Sequence, residues 1–163
     1  MDGTLTIGVH DFDLMRRELG LAPDADILKT MQSMSAQQAA PLWAKLDELE
    51  YYFASLAKPM PGAFELLEHL KEKGVSLGVL TRNVMPATLH TLKTCDLDQF
   101  FALEDILDRA SCEPKPKPDG ILLLLKQWGA KASQSVMVGD YLFDLEAGKA
   151  AQVSTVHIDT SET

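Results

Sequence analysis

The chain has 163 residues, a formal net charge of -9 and four histidines. That length fits one ordinary domain, or one domain carrying a small insertion, and a 46% hydrophobic, 24% charged composition excludes a disordered chain. The acidic balance argues against nucleic acid or an anionic membrane as partner, because both reward clustered lysine and arginine. No apolar run approaches the roughly 20 residues of a membrane span, and no basic-then-apolar leader precedes the fold, so a cytoplasmic protein is expected. Cys95 and Cys112 have no CxxC spacing and read as reduced thiols.

Met1-Asp2-Gly3-Thr4-Leu5-Thr6 reads as the outlet of a buried strand, with an acid, a glycine for a tight bend, and then hydroxyl and apolar residues. From His10 to Lys58 the pattern is helical and polar. Asp11 or Asp13 can cap a helix through Leu19 that Gly20 ends, and a second helix covers Asp26 to Met34. A long helix runs from Ser35 toward Leu56, with Leu42, Leu46, Leu49 and Phe53 at helical spacing. That stripe reads as ordinary helix packing.

Pro59-Met60-Pro61-Gly62 separates this segment from the remainder of the chain. Ala63 to Lys73 is predicted helical, with Phe64, Leu66, Leu67 and Leu70 on one side, and Val75 to Thr81 is predicted as a buried strand. The next helix runs from Met85 to Thr94, its start confined by Pro86, and a weaker strand-like region lies between Phe100 and Leu107. Lys115-Pro116-Lys117-Pro118 is a stiff loop into a helix from Asp119 to Trp128. Ser135 to Asp140 is a strand, Leu142 to Ala151 a helix and Val153 to Ile158 a last strand. Such alternation predicts an α/β fold with a parallel sheet wrapped by helices, and ligands bound at the carboxyl ends of its strands.

Chemistry collects at those ends. The strand ending at Leu80 exits into Thr81-Arg82-Asn83, and the one ending at Val138 exits into Gly139-Asp140, with Asp144 one helical turn later. Two carboxylates with backbone oxygens suit a hard cation such as Mg²⁺, although acids that merely cap the helix would give the same pattern. Lys115, fixed between prolines, suits a phosphate or an aspartate nucleophile.

Asp-Gly-Thr, Thr81, the Lys-Pro loop and Gly-Asp-x-x-x-Asp occur in that order, each at a predicted sheet edge. Together they resemble the haloacid dehalogenase superfamily, specifically its phosphatase-like, phosphoglycolate phosphatase-like members, over residues 1 to about 158. The resemblance implies a Rossmann-like core at 1–9 and 59–163 and a small helical cap at 10–58. In the family's first motif, Asp-x-Asp-Gly-Thr, the first Asp is the nucleophile and the second the general acid/base whose carbonyl helps bind Mg²⁺. Asp2 matches the second; the first would lie immediately before Met1. The first core strand would then also precede this chain, leaving an open slot or altered pairing in the sheet.

By the same resemblance Thr81 hydrogen-bonds the transferring phosphoryl group, with contacts from Arg82 or Asn83. Lys115 steadies nucleophile and phosphate, and Asp140 and Asp144 are a Mg²⁺ ligand and a nearby metal-site acid. Phosphoryl transfer needs an in-line nucleophile, a cation and a proton donor for the leaving group, and Asp2 favours phosphatase chemistry over dehalogenation. The expected partner is a small phosphorylated metabolite; a phosphomutase or an inactive binding module are the alternatives. His10, Asp11, Arg16 and Arg17 could meet substrate from the cap, but each also reads as a surface residue. Gln152 stands where many relatives have glycine, at a cost of about 1 kcal/mol if that position is left-handed.

Overall fold

The computed structural model describes residues 1–159; residues 160–163 of the expected core lie outside the described residues. Helix α1 (Phe12–Glu18) starts at Asp11, whose side chain accepts from the Leu14 amide at 2.8 Å. Asp26 does the same for α2 (Ile27–Gln32), accepting from the Lys29 amide at 3.2 Å. Ser35 and Gln38 close a reciprocal cap on α3 (Ala36–Ser55). These helices surround one apolar cluster of their own, with Met15, Leu28, Met31, Leu46 and Phe53 buried and Leu42 and Leu49 partly buried against it. The Leu42-to-Phe53 stripe is therefore packing. The chain enters and leaves this segment side by side, because the Met60 amide donates to the Leu5 carbonyl and the Ile7 amide to that of Lys58, both at 2.9 Å.

The rest alternates as the sequence predicts: α4 (Ala63–Glu72), β1 (Val79–Leu80), α5 (Met85–Thr94), β2 (Ile106–Leu107), α6 (Asp119–Trp128), β3 (Val136–Gly139), α7 (Leu142–Ala150) and β4 (Ser154–His157). Both pairings are parallel: β1 with β2 from Val79 opposite Ile106, and β3 with β4 from Val136 opposite Ser154. Helices lie on both sides, as period-2 alternation requires. Val79 joins Leu67, Leu92, Leu97 and Ile106 in one core cluster, while Leu80 joins Ile121, Leu125 and Ala147 in another. Met137 of β3 packs against that second cluster, so β1 and β3 share a layer of helix beneath them.

Three expectations change. The strand foreseen at Val75–Thr81 is only Val79–Leu80, because its partner offers just two residues. The strand-like stretch before that partner is instead two 3₁₀ turns, Asp98–Phe100 and Leu103–Asp105. On α4, Leu66 points outward at 56% exposure, and Ala63 and Leu67 carry the burial. Among the described residues β1 and β3 are not paired with each other. Met1–Thr6 lies across their carboxyl ends, with Asn83 donating to Asp2 at 2.8 Å and Thr4 to Asp140 at 2.7 Å. Cys95 and Cys112 are free thiols, and no described helix is long and apolar enough to cross a membrane.

Candidate active site

Two glycines let the acidic groups approach. A Cβ on Gly139 would fall 2.2 Å from the Asp144 Cβ, so only glycine permits the first turn of α7 to fold back over the end of β3. Gly3 turns with φ of +76°, and a Cβ there would meet the Asp140 carboxylate at 2.2 Å. Asp144 then accepts twice, from the Tyr141 amide at 3.1 Å and from Lys115 Nζ at 2.5 Å. Lys115 and Asp144 are 8% and 5% exposed, which makes this a buried ion pair at the positive end of a helix.

Thr81 continues β1: its amide donates to the Leu107 carbonyl at 2.9 Å, and its hydroxyl accepts from the Asn83 amide at 3.2 Å. Asn83 in turn holds Asp2. Burial pushes the main-chain amine of Met1 below its usual 8.0, and the charge of Lys115 pushes it the same way against Asp2, Asp144 and Asp140. A cavity of about 720 Å³ opens onto Met1, and all of Asp2, Thr81, Arg82, Asn83, Lys115, Asp140 and Asp144 line it. Sequence positions far apart thus meet at one place.

Residues 17–158 match the family model of haloacid dehalogenase-like hydrolases. The chain belongs to this family.

A haloacid dehalogenase-like hydrolase domain-containing protein of Arabidopsis thaliana is 30% identical over 98% of this chain and 68% of its own length. The pyrophosphatase PpaX of Listeria monocytogenes is 33% identical over 60% of this chain. That match spans only 44% of the pyrophosphatase, less than half of its length. Among solved structures, a hydrolase from Pseudomonas syringae superposes with a TM-score of 0.77 at 23% identity, covering 99% of this chain and 84% of that one. A haloacid dehalogenase-type hydrolase from Entamoeba histolytica gives 0.79 at 19% identity, covering 100% and 83%. These likenesses fix the Rossmann-like α/β fold.

The family's metal can be tested against the donors present. Among the described residues no three His, Cys, Asp or Glu side chains form a ready cluster. Both Asp144 oxygens are engaged, by Lys115 and the Tyr141 amide, and Asp140 Oδ1 takes the Thr4 hydroxyl. What remains is the second Asp140 oxygen and main-chain carbonyl oxygen. That is a sparse all-oxygen set, and it fits Mg²⁺, which keeps several waters and takes phosphate oxygens alongside one or two carboxylates.

Two of the four residues left open in the sequence, His10, Asp11, Arg16 and Arg17, also reach the cavity. His10 lines it with a side chain only 4% exposed, its Nδ1 3.8 Å from Asp2, against Phe12 and Phe53. Burial pushes its imidazole below the usual 6.5. Arg16 lines the cavity too, donating to the Ala25 carbonyl at 3.0 Å, whereas Asp11 and Arg17 are exposed.

Sequence reasoning missed Glu50, Arg109 and Phe143. Glu50 accepts from the Val84 amide at 2.7 Å and from Arg109 at 2.5 Å, and burial still pushes its carboxyl above the usual 4.5. An acid falling between Leu46 and Phe53 on an apolar stripe was its one readable signal. Arg109 carried none, and neither did Phe143, whose ring lies 4.9 Å from the Arg82 guanidinium at the cavity wall, because both contacts join positions distant in the chain.

Proposed function

We propose that this chain carries the site of a Mg²⁺-dependent phosphatase that hydrolyses a small phosphorylated metabolite through an aspartyl-phosphate. The observation that carries the reading is that Lys115, Asp140, Asp144, Asp2 and Thr81 line one cavity together with Met1. An Asp joined to the Met1 nitrogen would start at this cavity and is assigned the nucleophile. Its carboxylate oxygen attacks phosphorus, the ester P–O bond breaks, and Asp2 gives its proton to the leaving oxygen. In the second half Asp2 takes a proton from water as that water attacks phosphorus, and phosphate and the free carboxylate are released.

Lys115, oriented by Asp144, faces the charge on the transferring group, and the Thr81 hydroxyl donates to one of its oxygens. Mg²⁺, held by Asp140 and the Asp2 carbonyl with Asp144 nearby, would neutralise phosphate charge. Residues 10–58 act as a small cap that supplies the opposite wall through His10, Arg16 and Glu50. Phosphate release should be compared for this chain and for the same chain preceded by an apolar strand ending in Asp directly before Met1. With Mg²⁺ and a panel of phosphorylated metabolites, the extended chain should turn over, and changing the added Asp to Asn should abolish it. No release from the extended chain sinks the proposal.

A further inference from the structure

The cavity wall supplied by residues 10–58 is largely apolar: Phe12, Met15, Ile27, Leu28 and Leu46 line it. Its charged groups, Asp24 apart, are already paired within the protein. Arg16 pairs with Asp13 at 3.0 Å, Asp26 with Arg82 at 2.7 Å, and Glu50 with Arg109 and the Val84 amide. Asp24 is exposed and adds negative charge to the lining, which repels a second anion. A leaving group that fills this space therefore meets apolar surface more than unused donors.

Two aromatic rings open into the same cavity, and each is braced by another ring. Phe12, which opens α1, is 54% exposed and stacks on His10 with centroids 5.8 Å apart and planes at 18°. His10 rests in turn on Phe53 at 5.1 Å. Neither His10 nitrogen has a hydrogen-bond partner among the described residues, so the buried imidazole serves as a flat spacer that holds Phe12 in place. Tyr141, directly before α7, is 60% exposed and meets Phe143 edge to face at 5.0 Å and 89°. Phe143 has the Arg82 guanidinium 4.9 Å from its centre. Scattered exposed apolar residues need no explanation. Two braced rings do, when both line the cavity that holds Lys115 and Asp140 and each leaves more than half its surface in water.

We propose that Phe12 and Tyr141 are specificity-determining residues that hold a flat ring in the leaving group of the substrate. This rests on the phosphatase reading and narrows its substrate class to phosphomonoesters that carry a planar aromatic or heteroaromatic ring, in preference to polyol phosphates. The phosphoryl group lies at Thr81 and Lys115, and the ring stacks on Phe12 from one wall and Tyr141 from the other. Rigid aromatic side chains supply large contact area at low entropic cost. Their flat faces favour offset and edge-on contacts that a saturated ring of equal bulk makes less well. A cavity of about 720 Å³ has the room.

Calorimetric titration with benzylphosphonate, cyclohexylmethylphosphonate and dihydroxybutylphosphonate, in Mg²⁺, tests this without turnover. Benzylphosphonate should bind about 10-fold or more tightly than dihydroxybutylphosphonate, with the saturated ring between them. In Phe12→Leu and in Tyr141→Leu the ratio of the first to the last should fall about threefold or more, and in the double variant to within about threefold of one. Both side chains are more than half exposed, so these variants keep the fold. Tyr141→Phe retains the ring and should keep the ratio within about twofold. A ratio that survives the double substitution overturns the inference, as does one that collapses in Tyr141→Phe. Cyclohexylmethylphosphonate binding as tightly as benzylphosphonate overturns it too, because bulk rather than flatness is then read. Dihydroxybutylphosphonate matching or exceeding benzylphosphonate in the wild type overturns this inference alone, whereas binding of none overturns the phosphatase reading with it.

Discussion

Removing one member of the Lys115–Asp144 pair should cost far more than removing the pair. Both side chains are more than nine-tenths buried and 2.5 Å apart. Lys115→Met leaves a buried carboxylate with only the Tyr141 amide as donor, and Asp144→Asn leaves a buried ammonium without its counter-charge. An orphaned buried charge costs about 3–5 kcal/mol, a large share of the 5–15 kcal/mol typical of a folded domain. At about 2–4 °C per kcal/mol for a chain of this size, each single variant should melt roughly 6–20 °C below wild type. The double variant orphans neither charge, so it should be more stable than the sum of the single losses by about 2 kcal/mol or more. Urea unfolding followed by circular dichroism on the four proteins gives the cycle. Additive losses, or single losses below about 1 kcal/mol, would show that the pair is solvated or that the two groups act separately.

Burial raises the Glu50 carboxyl above 4.5, so its contribution to stability is full below that pH and is lost as pH rises through its folded-state value. The melting temperature of Glu50→Gln relative to wild type should therefore climb with pH above 4.5; a flat or falling difference refutes the direction. Gly139→Ala places a carbon 2.2 Å from Asp144 Cβ and should cost about 1–3 kcal/mol in overpacking, visible as a lower melting point; an unchanged one would show that the turn yields freely. Gln152 does sit at φ +59°, and Gln152→Gly should stabilise by up to about 1 kcal/mol, read in the same melts, with no gain counting against the strain. Asp2→Asn should lower turnover of the N-terminally extended chain by about 10²- to 10⁴-fold; a smaller loss in kcat removes Asp2 from proton transfer.

Helices with their own punctuation were legible in the sequence. Met85–Thr94 and Asp119–Trp128 match residue for residue, since Pro86 fixes one start and Gly129, left-handed at φ +60°, fixes one end. The strand at Val75–Thr81 was overread because apolar β-branched residues make a ladder only where a partner exists, and among the described residues Ile106–Leu107 is the partner β1 has. The residues gathered around Asp2 were legible for a related reason: Thr81 and Asp140 come directly after strands, whose ends converge in any parallel layer. His10 was read toward the surface because its neighbours Asp11 and Asp13 are polar. Its burial depends on Phe53, more than forty positions away.

Glu50 ties α3 to the Val84 amide and to Arg109, and Arg109 also pairs with Asp47, stacks on Trp43 and donates its own amide to the Asn83 carbonyl at 3.2 Å. Because Asn83 holds Asp2, any displacement of α3 would disturb the carboxylate proposed as proton donor as well as the cavity wall that Leu46 and Glu50 form. The Glu50 side chain is 4% exposed and that of Arg109 10%, so dissolved ions screen this latch weakly. Ionic strength should then change how fast an anion is drawn toward a molecule of net charge -9, while the stability that the Glu50–Arg109 contact contributes stays nearly constant. Salt thus separates long-range attraction from the buried contact that holds α3 in place.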